Sequence, residues 1–316
     1  MTDLVAIARS LFAKGKGLLA ADESVHTATA RLASYGIATS PEMRRQYRDL
    51  FLGTEGIEAY LSGAILFSET LLEKGHDKKL FPTSLADRGI APGVKVDLGT
   101  EPLGESPEEL ITNGLLDLPG RLAQYKKQGA VFTKWRAVIR IDGDQLPSAV
   151  AIHENVKRLA SYAREVQLAG LVPILEPEVL YKGRHSRTRA RIVIGETLQA
   201  LFSMLEEHSV DFREVLANIR FVRPHIRMLL QKAAHRSLQQ RVVIAAFDER
   251  VTDGACRPIA YALSNYARHC VRDEVLRRIS PNHIVLRAKI THRSRHTFLH
   301  SLMFETTSGV GRRIVR

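Results

Sequence analysis

The stretch AVFTKWRAVIRI, residues 130–141, reads as a β-strand with two cations, Lys134 and Arg136, near its middle. Strand side chains alternate between faces, so these two project to one side. The segment before it, LPGRLAQYKKQG (118–129), has helical spacing and stops at Gly129. The segment after it, SAVAIHENVKRLASYAREVQLAG (148–170), is again helical and ends on Gly170. A strand set between two helices implies a parallel sheet with helices packed over it.

The alternation continues in both directions. GLLAADES (17–24), SGAILFSE (62–69), PGVKVDLG (92–99) and LVPILEPEVL (171–180) are further strand candidates. SPEMRRQYRDLFL (40–52) is a helix candidate with Ser40 as N-cap and Pro41 at its first position. ARIVIGETLQALFSMLEEHSVD (190–211) closes the series, and the N-terminal MTDLVAIARSLFAKGKG reads as an amphipathic helix. No Gly-rich dinucleotide fingerprint follows the first strand, which argues against a Rossmann domain. A chain of 316 residues suits a (β/α)8 TIM barrel of about 250 residues with extensions.

Polar residues gather at the C-terminal ends of these runs: Asp22-Glu23-Ser24, Ser68-Glu69, Lys95 with Asp97, Lys134 with Arg136, Glu176 with Glu178. In a barrel those ends line one mouth, where active sites sit. Lysines and carboxylates converging there suit carbonyl chemistry. A lysine amine condenses with a ketone to an imine that serves as an electron sink, and carboxylates move the protons. A second ammonium nearby lowers a lysine's pKa and frees its amine.

KGKGLLAADES, GAILFSETL, GVKVDLG, QYKKQGAVFTKWRAVIRI and VPILEPEVL together resemble the class I, Schiff-base fructose-bisphosphate aldolases, over residues 3 to about 216. The resemblance implies a barrel and reversible aldol cleavage of fructose 1,6-bisphosphate to dihydroxyacetone phosphate and glyceraldehyde 3-phosphate. It implies no metal or other cofactor, a phosphorylated sugar as substrate, a glycolytic or gluconeogenic role in the cytoplasm and a possible homo-oligomer. Asp22 matches the aspartate that handles the substrate hydroxyl. Ser24, Thr27 and Arg31 match positions near a substrate phosphate, Thr27 standing where a serine is usual. Lys95 and Lys134 match the accessory lysines, and Arg136 a substrate-contacting arginine. Glu176 matches the acid–base glutamate and Glu178 the carboxylate supporting the lysines.

The sixth strand of that family carries the imine-forming lysine in a VLLK-like context. Here the chain reads FREVLANIRFVRP (212–224), and Asn218, whose amide cannot form an imine, stands at the expected place. No Schiff-base lysine is found, and the family's FLSGG and FSYGRA segments are absent. Composition changes at the same point. Residues 217–316 hold 17 Arg and 2 Lys against 6 acidic residues, whereas the first 216 hold 27 basic and 28 acidic. This divides the chain into an aldolase-type part, 1–216, supplying strands 1–5, and a basic Arg-rich region, 217–316, in which strands 6–8 are not readable. A displaced reading frame or misjoined coding segment after about Leu216 accounts for most of these features. The others are an aldolase-like protein that lost its lysine, and an inactive fragment with a basic nucleic-acid-binding tail. The tail holds few aromatics for base stacking, which disfavours nucleic acid. RVVIAAF (241–247) and HIVLRAKI (283–290) are plausible parallel strands, and Lys232 and Lys289 the downstream lysines.

Composition bounds the rest. Cys256 and Cys270 are too few for a disulfide framework or a metal cluster, which points to a reduced cytoplasmic protein. No apolar run reaches the roughly 18 residues of a membrane span.

Overall fold

The computed structural model describes residues 3–180, 183–218, 243–245, 284–286 and 304–306. The first half of the chain runs α1 (Leu4–Ser10), β1 (Gly17–Ala21), α2 (Val25–Ser34), α3 (Pro41–Leu52), β2 (Leu61–Leu66) and α4 (Phe81–Asp87). Then come β3 (Ala91–Lys95), β4 (Thr100–Leu103), β5 (Ser106–Thr112), α5 (Leu118–Lys127), β6 (Phe132–Ile139) and α6 (Ala149–Leu168). The rest comprises β7 (Val172–Val179), α7 (Arg187–Glu207), β8 (Leu216–Asn218), β9 (Val243–Ala245), β10 (Ile284–Leu286) and β11 (Phe304–Thr306). These elements fall into two compact units: one holds α1 and β3 through β9, the other β1 through α4 with β10 and β11.

In the larger unit β3, β6, β7, β8 and β9 pair in that order, every pair parallel. Lys95 is level with Lys134, Arg136 with Glu176, and Leu175 with Ala217. The sheet is buried on both sides, as parallel sheets are. Trp135 meets Tyr162 of α6 on one side, their ring centroids 5.3 Å apart. Ile139, Val179 and Ala217 pack against Val193, Ile194 and Leu198 of α7. A Cβ at Gly93 would meet the Phe132 ring at 2.2 Å, so a side chain there requires that ring to move. The long helices start where the sequence caps them. Ser148 and Ser186 accept from the amides of Ala151 and Arg189. Glu109 grips Ser148 at both its amide (2.7 Å) and its hydroxyl (2.8 Å), fixing the start of α6 to β5.

In the smaller unit β1 and β2 are parallel. Ser40 caps α3 with Pro41 in its first turn, and Ser24 caps α2.

Several expectations shift. The run GLLAADES leaves the strand at Ala21, because Ser24 already caps α2, a ten-residue helix not among the expected elements. Helix α4 and the antiparallel β4–β5 hairpin likewise went unread. Helix α7 begins at Arg187, three residues before the apolar pattern, because its cap is Ser186. RVVIAAF supplies β9, parallel to β8 as expected. HIVLRAKI does not supply a parallel strand: β10 pairs antiparallel with β11. Lys232 and Lys289 lie outside the described residues.

Candidate active site

In the larger unit three ion pairs lie along one face of β3, β6 and β7. Lys95 closes on Asp97, donating also to its backbone oxygen at 3.1 Å. Lys134 Nζ lies 3.2 Å from Glu176 Oε2, and Arg136 Nε contacts Glu178. Lys134 is level with Ile174 and Arg136 with Glu176, so each β6 cation reaches the carboxylate two residues further along β7. Both pairs slant the same way, which keeps four long side chains from colliding. Asp97 also accepts the Arg136 backbone amide at 3.3 Å, tying the end of β3 to β6.

Burial grades these groups. The side chains of Lys134 and Glu176 are 8% and 4% exposed, whereas Arg136 is 41% exposed. Three cations meet three carboxylates, so the face is neutral overall. A buried lysine–carboxylate pair can exchange a proton with a bound molecule, and the exposed guanidinium can hold an anion in a planar fork.

In the smaller unit Asp22 is buried immediately beyond the last residue of β1. Ser24 and Thr27 touch through their hydroxyls at 3.0 Å, and the Thr27 amide donates to Ser24 Oγ. One turn further along α2, Arg31 lies 2.6 Å from Glu23 and donates to Tyr47 Oη at 3.0 Å. Tyr47 donates in turn to Glu23, and the buried Arg48 grips both the Glu23 carboxylate and its backbone oxygen. Burial first, and the Glu23 charge second, push the Tyr47 phenol up to about 12. Burial works against the Arg31 charge, but Tyr47 and Glu23 outweigh it and raise its pKa. Arg31, in the last turn of α2, is thus held by a fixed carboxylate and phenol.

Lys95, Lys134, Arg136, Glu176 and Glu178 therefore share one face of one sheet, while Ser24, Thr27 and Arg31 share one helix. Asn218 is the last residue of β8; continuing the Ile174–Leu216 and Leu175–Ala217 pairs places it level with Glu176. Sequence reasoning missed the roles of Glu23, Tyr47 and Arg48. Their signal was the spacing Arg44, Tyr47, Arg48 on an otherwise amphipathic helix, which puts a cation on the buried side. No cluster of metal-ligating side chains occurs among the described residues. No helix among them is long and apolar enough to cross a membrane.

Parallel strands joined through helices, with charged pairs toward the strands' C-terminal ends, place the chain among the α/β proteins built on a parallel sheet. The family model for class-I fructose-bisphosphate aldolase matches residues 3–243, and the chain belongs to that family. A probable fructose-bisphosphate aldolase class 1 of Xylella fastidiosa is 45% identical over 70% of this chain and 66% of its own length. Human fructose-bisphosphate aldolase B is 44% identical over 66% of this chain and 57% of its own. The chain thus spans just under two thirds of the first and less of the second. The fructose-bisphosphate aldolase of Plasmodium falciparum, solved in complex with TRAP and a small-molecule inhibitor, matches with a TM-score of 0.69 and 34% identity. That match covers 81% of this chain and 79% of the other, and it fixes the fold as the (β/α)8 barrel.

Proposed function

We propose that this chain binds fructose 1,6-bisphosphate and its triose phosphate products at an aldolase-type site, and that it lacks the imine-forming step. The observation that carries this reading is the buried Lys134–Glu176 pair beside Arg136–Glu178 on one strand face, in a chain of the class I aldolase family. Glu176 is the acid–base carboxylate, Lys134 the lysine that assists carbinolamine formation, and Lys95 the second accessory lysine. Glu178 supports the cations, and Asp22 handles the substrate hydroxyl. Arg136 contacts the substrate, and Ser24, Thr27 and Arg31, along α2, lie near a substrate phosphate. In the full reaction the bisphosphate is cleaved reversibly to dihydroxyacetone phosphate and glyceraldehyde 3-phosphate.

The step missing from this set is the covalent one. Lys95 and Lys134 are each engaged by a carboxylate. Asn218 offers no amine in their place. Cleavage at the wild-type site is therefore absent or very slow. The reading treats residues 1–216 as the working part and 217–316 as a region of separate origin. It places the protein in the cytoplasm, in glycolysis or gluconeogenesis, as a possible homo-oligomer.

Two measurements test it. Calorimetric titration with fructose 1,6-bisphosphate should give saturable binding that weakens in Arg136→Ala, and absence of binding sinks the assignment. Borohydride reduction with dihydroxyacetone phosphate should leave every lysine unmodified by mass spectrometry. An adduct on any lysine overturns the missing-imine part.

A further inference from the structure

The buried Tyr162 of α6 sits behind the charged strand face, on the helix-packed side of the sheet. Its hydroxyl lies 2.6 Å from Thr133 Oγ1 and 3.4 Å from the Ile174 carbonyl oxygen. One donor chain satisfies both contacts: Thr133 donates to Tyr162, and Tyr162 donates to Ile174. Thr133 directly precedes Lys134 on β6, and Ile174 is the residue level with Lys134 on β7. One hydroxyl therefore joins the two strands at the level of the lysine, from the face opposite the ion pair. The Trp135 ring stacks beside it, so the strand residues on either side of Lys134 both rest on Tyr162.

We infer that the Tyr162 hydroxyl is a positioning group for Lys134 and Glu176, holding β6 and β7 so that the lysine meets the carboxylate two residues along the neighbouring strand. Strand register decides which face every side chain takes, and a small slide of β6 against β7 stretches a pair that already sits at 3.2 Å. Burial raises the Tyr162 pKa, so the phenol stays protonated and able to donate. The role given to Tyr162 rests on the aldolase-type reading of Lys134 and Glu176; the link itself rests on the strand geometry alone.

The test measures Lys134 directly rather than turnover. Competitive labelling of the full chain with isotopic acetic anhydride across pH 7–11, read by mass spectrometry, gives each lysine's midpoint and reactivity. Tyr162→Phe should loosen the ion pair, lower the Lys134 midpoint by about one pH unit and so raise its labelling at fixed pH about tenfold. Lys126 and Lys157, remote from the pair, should not move. Thr133→Val should act like Tyr162→Phe, and Thr133→Ser, which keeps the hydroxyl, should behave as wild type. If Tyr162→Phe does not fold, the two Thr133 variants carry the comparison. An unchanged Lys134 profile in Tyr162→Phe or Thr133→Val overturns the inference, even where stability falls. Protection of Lys134 by fructose 1,6-bisphosphate in the wild-type chain tests the functional reading separately. Failure there leaves the variant comparison intact.

Discussion

Lys134→Met gives the sharpest test of the buried face. The Lys134 and Glu176 side chains are 8% and 4% exposed and 3.2 Å apart, so neither is well solvated by water. Removing one partner of such a pair costs about 3–5 kcal/mol, because the other charge loses its closest compensation where solvation is poor. Replacing both by apolar side chains of similar volume is often neutral or stabilising, because the desolvation penalty disappears with the charges. Lys134→Met alone should therefore destabilise strongly, and Lys134→Met with Glu176→Met far less than the sum of the singles. Trp135 is the chain's single tryptophan, fully buried next to Lys134, so its fluorescence reports unfolding at the right place. With a urea slope of about 2–3 kcal/mol per M, the single variant should lose between about 1 and 2.5 M in midpoint. The half-exposed Lys79–Asp87 pair is the internal contrast, and Lys79→Met should shift the midpoint little. Additive effects of the two Met substitutions, to within about 0.5 kcal/mol, refute the argument that these charges stabilise each other.

Three further outcomes follow from particular contacts. Gly93→Ala forces a Cβ against the Phe132 ring and should cost about 1–3 kcal/mol in the same urea assay, with Phe132→Leu in the same chain recovering part of it. Glu42 is held at about 2 chiefly by hydrogen bonds from Arg45, with Gln46 adding to them. A depressed carboxylate stabilises above its unfolded value near 4.5, and that contribution fades as pH falls through about 2. The side chain is more than half exposed, so the contribution is only a few tenths of a kcal/mol. Carbon-detected titration of Glu42 should show its midpoint return toward 4.5 in Arg45→Ala. Asn218→Lys returns an amine to the position level with Glu176 and should yield a borohydride-trapped dihydroxyacetone phosphate adduct on that lysine. No adduct in a variant that still binds the sugar phosphate means that more than this amine has been lost.

Much of this architecture is written in short-range pattern. A strand buried on both faces needs a continuous apolar run, and β6 and β7 announce themselves that way, with charges at a spacing of two that land on one face. Serine caps fix α3 and α6 to within a residue or two of their sequence expectation. Helix α2 buries only Ala28 and Leu32, too short an apolar stripe to set it apart from the strand run before it. Its first turn is held by Ser24 and Thr27, and its far end by Arg31, which a carboxylate and a phenol from other elements hold in place. That network depends on distant residues meeting, and no local pattern contains it.

The candidate site divides along the same line. Lys95 with Asp97 could be paired from sequence, since two residues on one strand end share a face. Which carboxylate each β6 cation would take could not, because it depends on the stagger between strands. Equal spacing in the two runs suggests Lys134 across from Glu176 as readily as Arg136 across from Glu176. The register makes Arg136 level with Glu176 and then sends each cation one step onward, to Glu176 and Glu178. The same register gives the absent lysine a physical meaning. A motif comparison says only that Asn218 replaces a lysine, whereas continuing the β7–β8 pairs one residue past Leu175–Ala217 puts Asn218 level with Glu176. A residue at that level is one strand away from Glu176, the carboxylate that the proposed reading makes the proton carrier. On the proposed reading the groups that would serve an amine there stand on β6 and β7, already paired with one another, so its absence leaves those pairs intact.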